Sequence, residues 1–159
     1  MQGVELDLAW APLAGLNVNV GAAYLDTEIK EWLTPVSGQF NFAAGRPVNV
    51  VYVDAAGSHL PQSPEWSINA LTSYEWALTD SLRMEISADA NYRDDAPNPV
   101  RPQDSLEGYT LYNARVSVSR EGGAWRLMFW GRNVTDEYYF VGATGGMRAA
   151  PRHRRCARP

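Results

Sequence analysis

Chemistry in this chain would have to come from two imidazoles, a few acidic pairs and one thiol. His59 and His153 lie far apart, and neither has a cysteine or a paired carboxylate beside it. A metal site needs three or four converging ligands, so none is expected, and His59 is read as a solvated loop residue. Asp94-Asp95, and Asp26 with Glu28, are acidic pairs at loop bases. They have the chemistry to touch a cation or a substrate, but solvated loop charge is the expected role. Cys156 is alone, which excludes a disulfide within the chain and a cysteine-rich metal site. Gly122-Gly123 and Gly145-Gly146 lack the strand–helix context and spacing of a phosphate loop, and no nucleophile stands with a base. Asn133-Val134-Thr135 has the form of a glycosylation acceptor, but it falls at a strand exit. The expectation is therefore no catalytic, cofactor-binding or metal-binding residue, no cofactor and no enzyme activity.

The elements behind these residues are strands. Trp66, Ile68, Ala70, Thr72, Tyr74 and Trp76 alternate with mostly polar residues, and so do Leu82, Met84, Ile86, Ala88, Ala90 and Tyr92. A period of two sorts the sets onto opposite faces of a sheet. Six such strands are expected, at about 3–10, 16–27, 65–76, 82–92, 109–119 and 124–133. Glu5, Asp7, Asn17, Asn19, Glu85, Asp89 and Asn91 fall on the polar face. They are expected to keep an interior wet rather than to bind anything specific. Short turns (11–15, 77–81 and 120–123) alternate with long loops (28–63, 93–107 and the segment after 133). That alternation is the up-and-down pattern of transmembrane barrels.

The aromatics agree. Trp10, Trp76 and Trp125 lie beside short turns, whereas Tyr24, Trp66, Tyr92 and Tyr112 lie toward long loops. From Trp66 to Trp76 the strand runs about 33 Å, which a tilt of about 40° reduces to a vertical span of about 25 Å. This is the height of the apolar band of such a barrel. A soluble β-sandwich explains the alternation equally well, but it has no reason to sort its rings by depth.

The 159 residues suffice for one domain, and the composition, 45% hydrophobic and 20% charged, is that of a folded chain. A net charge of −4 argues against nucleic acid as a partner. The basic residues cluster in a tail, Arg148, Arg152, Arg154, Arg155 and Arg158. No run of about 18 apolar residues supports a transmembrane helix, but barrel strands of about 9–11 residues need none. Met1-Gln2-Gly3 runs directly into a strand without a signal-peptide pattern. The expectation is that the chain is a piece of a longer exported protein.

Several segments resemble the carboxy-terminal part of a TonB-dependent outer-membrane receptor. Trp130-Gly131-Arg132-Asn133-Val134-Thr135-Asp136-Glu137-Tyr138-Tyr139 is similar to the family's penultimate strand and its exit. Leu60-Pro61-Gln62-Ser63-Pro64-Glu65-Trp66-Ser67 resembles an entry from an external loop, and Gly3-Val4-Glu5-Leu6-Asp7 a recurring strand start. Tyr109-Thr110-Leu111-Tyr112-Asn113-Ala114-Arg115-Val116 is similar to a later strand. The resemblance covers about residues 3–140. It implies a barrel of about twenty-two strands around a plug, located in the cell outer membrane of a Gram-negative bacterium. It also implies uptake of a scarce solute such as a siderophore, a vitamin or a carbohydrate. The implied partners are membrane lipid, the TonB complex, a small-molecule substrate and the barrel-assembly machinery.

The expected fold is thus all-β, an antiparallel up-and-down meander of about six strands forming part of a transmembrane β-barrel. Residues 1–140 are assigned to the partial receptor barrel and 141–159 to an irregular, out-of-frame arginine-rich tail. In that tail the family's last strand, ending in an aromatic, is missing. The plug and the TonB box are also outside this sequence. Two further readings stay open: a small structural or adhesive outer-membrane barrel, and a soluble β-sandwich binding module. Trp32, Phe40, Phe42 and Tyr52 in segment 28–63 could stack on a ligand, though loop rings more often pack on one another.

Overall fold

A computed structural model describes residues 1–142, so the arginine-rich tail, His153, Cys156 and Gly145-Gly146 lie outside the described residues. Eight strands form: β1 (Gln2–Leu13), β2 (Leu16–Asp26), β3 (Leu33–Asn41), β4 (Arg46–Asp54), β5 (Trp66–Thr79), β6 (Leu82–Arg93), β7 (Tyr109–Arg120) and β8 (Arg126–Gly131). Six make one antiparallel sheet in the order β1-β2-β5-β6-β7-β8, and β3 pairs only with β4. The sheet is the expected up-and-down meander, and it is open: β1 and β8 do not meet.

Register aligns the faces from β1 through β7. Leu8 pairs with Val20, Val20 with Ala70, Ala70 with Ala90 and Ala90 with Tyr112. One position away, Ala9, Asn19, Leu71, Asp89 and Asn113 form the adjacent row on the other face. A slip of one residue anywhere would invert a strand, so this continuity fixes the register by hydrophobicity alone.

The chain differs from the expected layout in three places. Segment 28–63 is no simple loop, because β3 and β4 make a hairpin within it. Its alternation is broken by Pro35 and Pro47, by bulges between Pro35 and Gln39, and by Asn49 at φ 53°. Each bulge moves later side chains to the other face, so no period of two survives to be read. The short turns are also tighter than the sequence suggests. β1 runs on to Leu13 and β5 to Thr79, with register shifts between Trp10 and Leu13 and between Ala77 and Thr79. Bulges absorb the extra residues, and Pro12 sits where no ladder donor is needed. Finally, β8 is shorter than expected, ending at Gly131.

Among the described residues no second layer of strands covers the sheet: strands contact only their hydrogen-bonded neighbours. The buried hydrophobic residues among those described are Ile29, Ala55, Ala96 and Leu106, all in the long loops. Around them Ile29 N–H donates to Ser58 O (2.8 Å), Leu60 N–H to Thr27 Oγ1 (3.0 Å) and Ala96 N–H to Leu106 O (2.9 Å). A further bond from Gln62 N–H to Pro97 O (3.2 Å) ties the two long loops together.

Gly15 closes the first turn at φ 84°, and its carbonyl accepts from Glu75 N–H at 2.9 Å. A Cβ there would stand 2.0 Å from Glu75 O. Gly15→Ala must therefore distort both the turn and the start of the β2–β5 pairing. The expected cost is about 2 kcal/mol or more, read as a lower urea midpoint for loss of the far-ultraviolet sheet signal in detergent.

Candidate functional site

The polar face is a graded surface. Near the short turns its cations are neutralised. Arg83 Nη1 lies 3.0 Å from Glu75 Oε1, Arg83 Nη2 lies 3.2 Å from Glu121 Oε1, and Arg126 Nη2 lies 2.9 Å from Glu85 Oε2. These half-exposed pairs each contribute little to stability, but they link β5, β6, β8 and the last short turn side by side. Higher up, Asp89 Oδ2 accepts from Asn91 Nδ2 (2.8 Å) and Asn113 Nδ2 (2.6 Å). Glu5, Asp7, Asn17 and Asn19 stand exposed on the same face, as the alternation requires.

At the end of β8 the chain makes a compact exit. Asn133, at φ 48°, receives Glu137 N–H on its Oδ1 and donates Nδ2–H to Glu137 O, both at 2.9 Å. Its own N–H donates to Asn113 Oδ1 (2.9 Å), and Val134 N–H reaches Tyr112 O (2.9 Å). Asp136 also takes a positive φ of 56°. Asparagine and aspartate tolerate this conformation better than other residues with a Cβ, which explains the residue types at both positions. The Asn of the Asn-x-Thr pattern here is the residue that closes this turn. The segment ends with Tyr139 against Tyr109, ring centroids 4.5 Å apart.

The other acidic candidates serve the loops. Asp94 Oδ1 accepts from Tyr92 OH (3.0 Å) and Asp95 N–H (2.9 Å), and Asp95 Oδ1 accepts from Gly108 N–H (2.6 Å). The pair thus pins the start and end of the second long loop. Asp26 takes Gln2 Nε2–H at 3.0 Å, and Glu28 pairs with Lys30. His59 sits exposed, 3.6 Å from Glu65 Oε1. Among the described residues no group of three potential metal ligands converges. Of the hairpin's aromatics, Trp32 is at its foot, Tyr52 pairs with Pro35 nearby, and Phe42 is at the tip.

The apolar face is the larger functional surface. Val4 is 68% exposed, Trp10 59% and Phe129 67%, and no other strand among the described residues lies over them. Its rings are arranged by depth. Tyr24 pairs with Trp66, their rings 4.9 Å apart. Tyr92 then pairs two residues further along β5, with Ile68, and Tyr112 aligns through Ala90 with Ala70, another two along. The outer row therefore falls four residues in three strand-to-strand steps. On the other side, Trp10 aligns through Val18, Thr72, Ala88 and Ala114 with Gly131, six residues beyond Trp125. That row falls six residues in five steps. With about 3.3 Å per residue and about 4.8 Å between strands, both rows become level when strands lean by about 40°. Strands of closed membrane barrels lean by about 35–45°. Two girdles drawn from different residues thus demand one tilt.

A family model described as TonB dependent receptor-like, beta-barrel, matches residues 1–134. The chain belongs to that family. Its members are receptors and transporters of the outer membrane rather than enzymes. Comparison with curated proteins and with solved structures gave no match. Within the family fold, the exit turn after β8 and the two ring girdles are the features this chain builds with its own residues.

Asn133→Ala removes both side-chain bonds to Glu137 and leaves a Cβ residue of poorer αL tolerance at φ 48°. The expected cost is about 1–2 kcal/mol, localised to the exit. Faster amide exchange at Val134 and Glu137, with β5 and β6 amides unchanged, is the expected outcome.

Proposed function

We propose that this chain is part of the transmembrane wall of an outer-membrane receptor in a Gram-negative bacterium. The intact receptor takes up a scarce solute, such as a siderophore, a vitamin or a carbohydrate, with energy delivered through TonB. The observation that carries this reading is the uncovered apolar face, bounded by two rows of rings that become level at one strand tilt. Lipid acyl chains are its partner on that side, and water or a plug faces Glu5, Asp7, Asn17 and Asn19 on the other. The barrel-assembly machinery would be needed to bring such strands into the membrane. Against the sandwich reading, no second layer of strands packs on this sheet among the described residues.

Val20 is midway between Tyr24 and Leu16 on β2, near mid-depth, and Asn19 is its neighbour on the opposite face. A spin label placed at Val20→Cys in lipid vesicles, in a Cys156→Ser background, should be relaxed by dissolved oxygen. One at Asn19→Cys should be relaxed by an aqueous nickel chelate. Equal response of both sites to the chelate would remove the membrane reading.

The wall is not by itself the transporter. An open sheet has no lumen, and its free edges leave backbone groups without partners in lipid. Vesicles carrying only this chain should show no energy-coupled uptake of any solute. Accumulation above the external concentration would show that six strands suffice.

A further inference from the structure

The upper part of the polar face holds one cleft that neither the fold nor the family match accounts for. It measures about 610 Å³ and is lined by Asp89, Asn113, Arg115, Met128, Trp130 and Arg132, with Tyr139 at its rim. Trp130 is 67% exposed and Met128 40%, near Leu111 on a mostly polar face. Arg132 lies over the Trp130 ring, its guanidinium carbon 5.4 Å from the ring centroid.

The charge in this cleft is unbalanced. Arg83 and Arg126 have carboxylate partners, but Arg115 and Arg132 have no ion pair among the described residues. The one carboxylate lining the cleft, Asp89, is already engaged by two amide donors on a single oxygen. Two guanidiniums therefore face the space with donors to spare, in a chain of net charge −4. Guanidinium donors match a carboxylate in bidentate fashion, and an indole face offers a flat platform for a ring. Arg115 is three residues below Tyr112 on β7, which at the inferred tilt is about 8 Å beneath the outer girdle. The cleft thus opens at mid-wall, beside the point where β8 ends and the chain turns away.

We propose that this cleft is a binding subsite for a carboxylated aromatic solute. Arg115 and Arg132 hold the carboxylate, and Trp130 receives the ring. The proposal rests on the receptor-wall reading and adds a substrate class to it.

The probe is 1-naphthoate, titrated into the full chain in detergent micelles, with neutral 1-naphthalenemethanol as its control. Naphthoate should bind saturably, and the alcohol at least tenfold more weakly. Arg115→Gln and Arg132→Gln should each weaken naphthoate binding ~tenfold, while Arg115→Lys, which keeps the charge, should lose less. Trp130→Leu should weaken the acid several-fold. Far-ultraviolet dichroism on each variant guards against loss of fold. Equal binding of acid and alcohol, unchanged affinity in both glutamine variants, or no saturable binding by a chain with an intact sheet signal would each overturn the subsite. The spin-label measurement at Val20→Cys and Asn19→Cys reads the wall assignment separately, so the subsite can fail while the wall stands.

Discussion

An apolar sheet face with no second layer is the constraint on which everything else depends. A soluble domain stabilises a sheet by burying one face against helices or another sheet. Here the described hydrophobic core amounts to four residues, and all four are in the loops. The rows Leu8–Val20–Ala70–Ala90–Tyr112 and Leu16–Tyr74–Ile86–Val116–Phe129 are complete across their strands, yet no second layer among the described residues covers them. In water a face of this size would associate with anything apolar. In a bilayer it is already in its preferred solvent, and the strand ladder satisfies the backbone.

The same constraint explains how the rings and charges are distributed. Tyrosine and tryptophan gain from one apolar side and one wet edge, so they collect where the apolar band ends. Because the strands lean, a level boundary crosses them at successively different residues. That is why the rings are offset in register rather than opposite one another. On the polar face the arginines near the short turns are paired with carboxylates, Arg83 with Glu75 and Glu121 and Arg126 with Glu85. Toward the middle of the wall that pairing stops, and amides take over. The face is therefore stiffly cross-linked at one end and chemically available at the other.

Much of this was legible in the sequence, and the parts that were not share a cause. Strands β2, β5, β6 and β7 were recovered to within a few residues because one face is uniformly apolar. The hairpin β3–β4 was missed because its residues meet no common apolar phase. Its prolines and bulges erase the alternation, and its order comes from pairing with itself and from Ile29 and Ala55 at its foot. The tight turns were misjudged because bulges place turn-forming residues such as Pro12 inside a strand. The role of Asn133 could be guessed as a strand exit, but its bonds to Glu137 and Asn113 required coordinates. No site residue was named in advance. The available signal was two aromatic or sulphur-bearing residues, Trp130 and Met128, in the polar phase of β8, beside an arginine without an acidic register partner. Parity alone cannot distinguish such a cleft from noise, since its depth depends on where β8 stops.

The two edges of the sheet carry the argument one step further. β1 offers twelve residues of strand, every one exposed, and its outer backbone groups have no strand neighbour among the described residues. In lipid each unmet N–H or C=O costs several kcal/mol by general estimates, so such an edge is tolerable only when another strand is paired to it. The edge at β8 is different. The strand is half the length of β7, and beyond Gly131 the exit turn contributes to β7 only the bonds from Asn133 to the Asn113 side chain and from Val134 to Tyr112 O. A strand joining there would find a regular ladder near the short turns and a folded loop segment near the outer girdle. The β1 edge is thus a regular ladder along its length up to the register shift beyond Trp10. On the β8 side the ladder continues only through its inner half, and the cleft opens just where that regular pairing gives out.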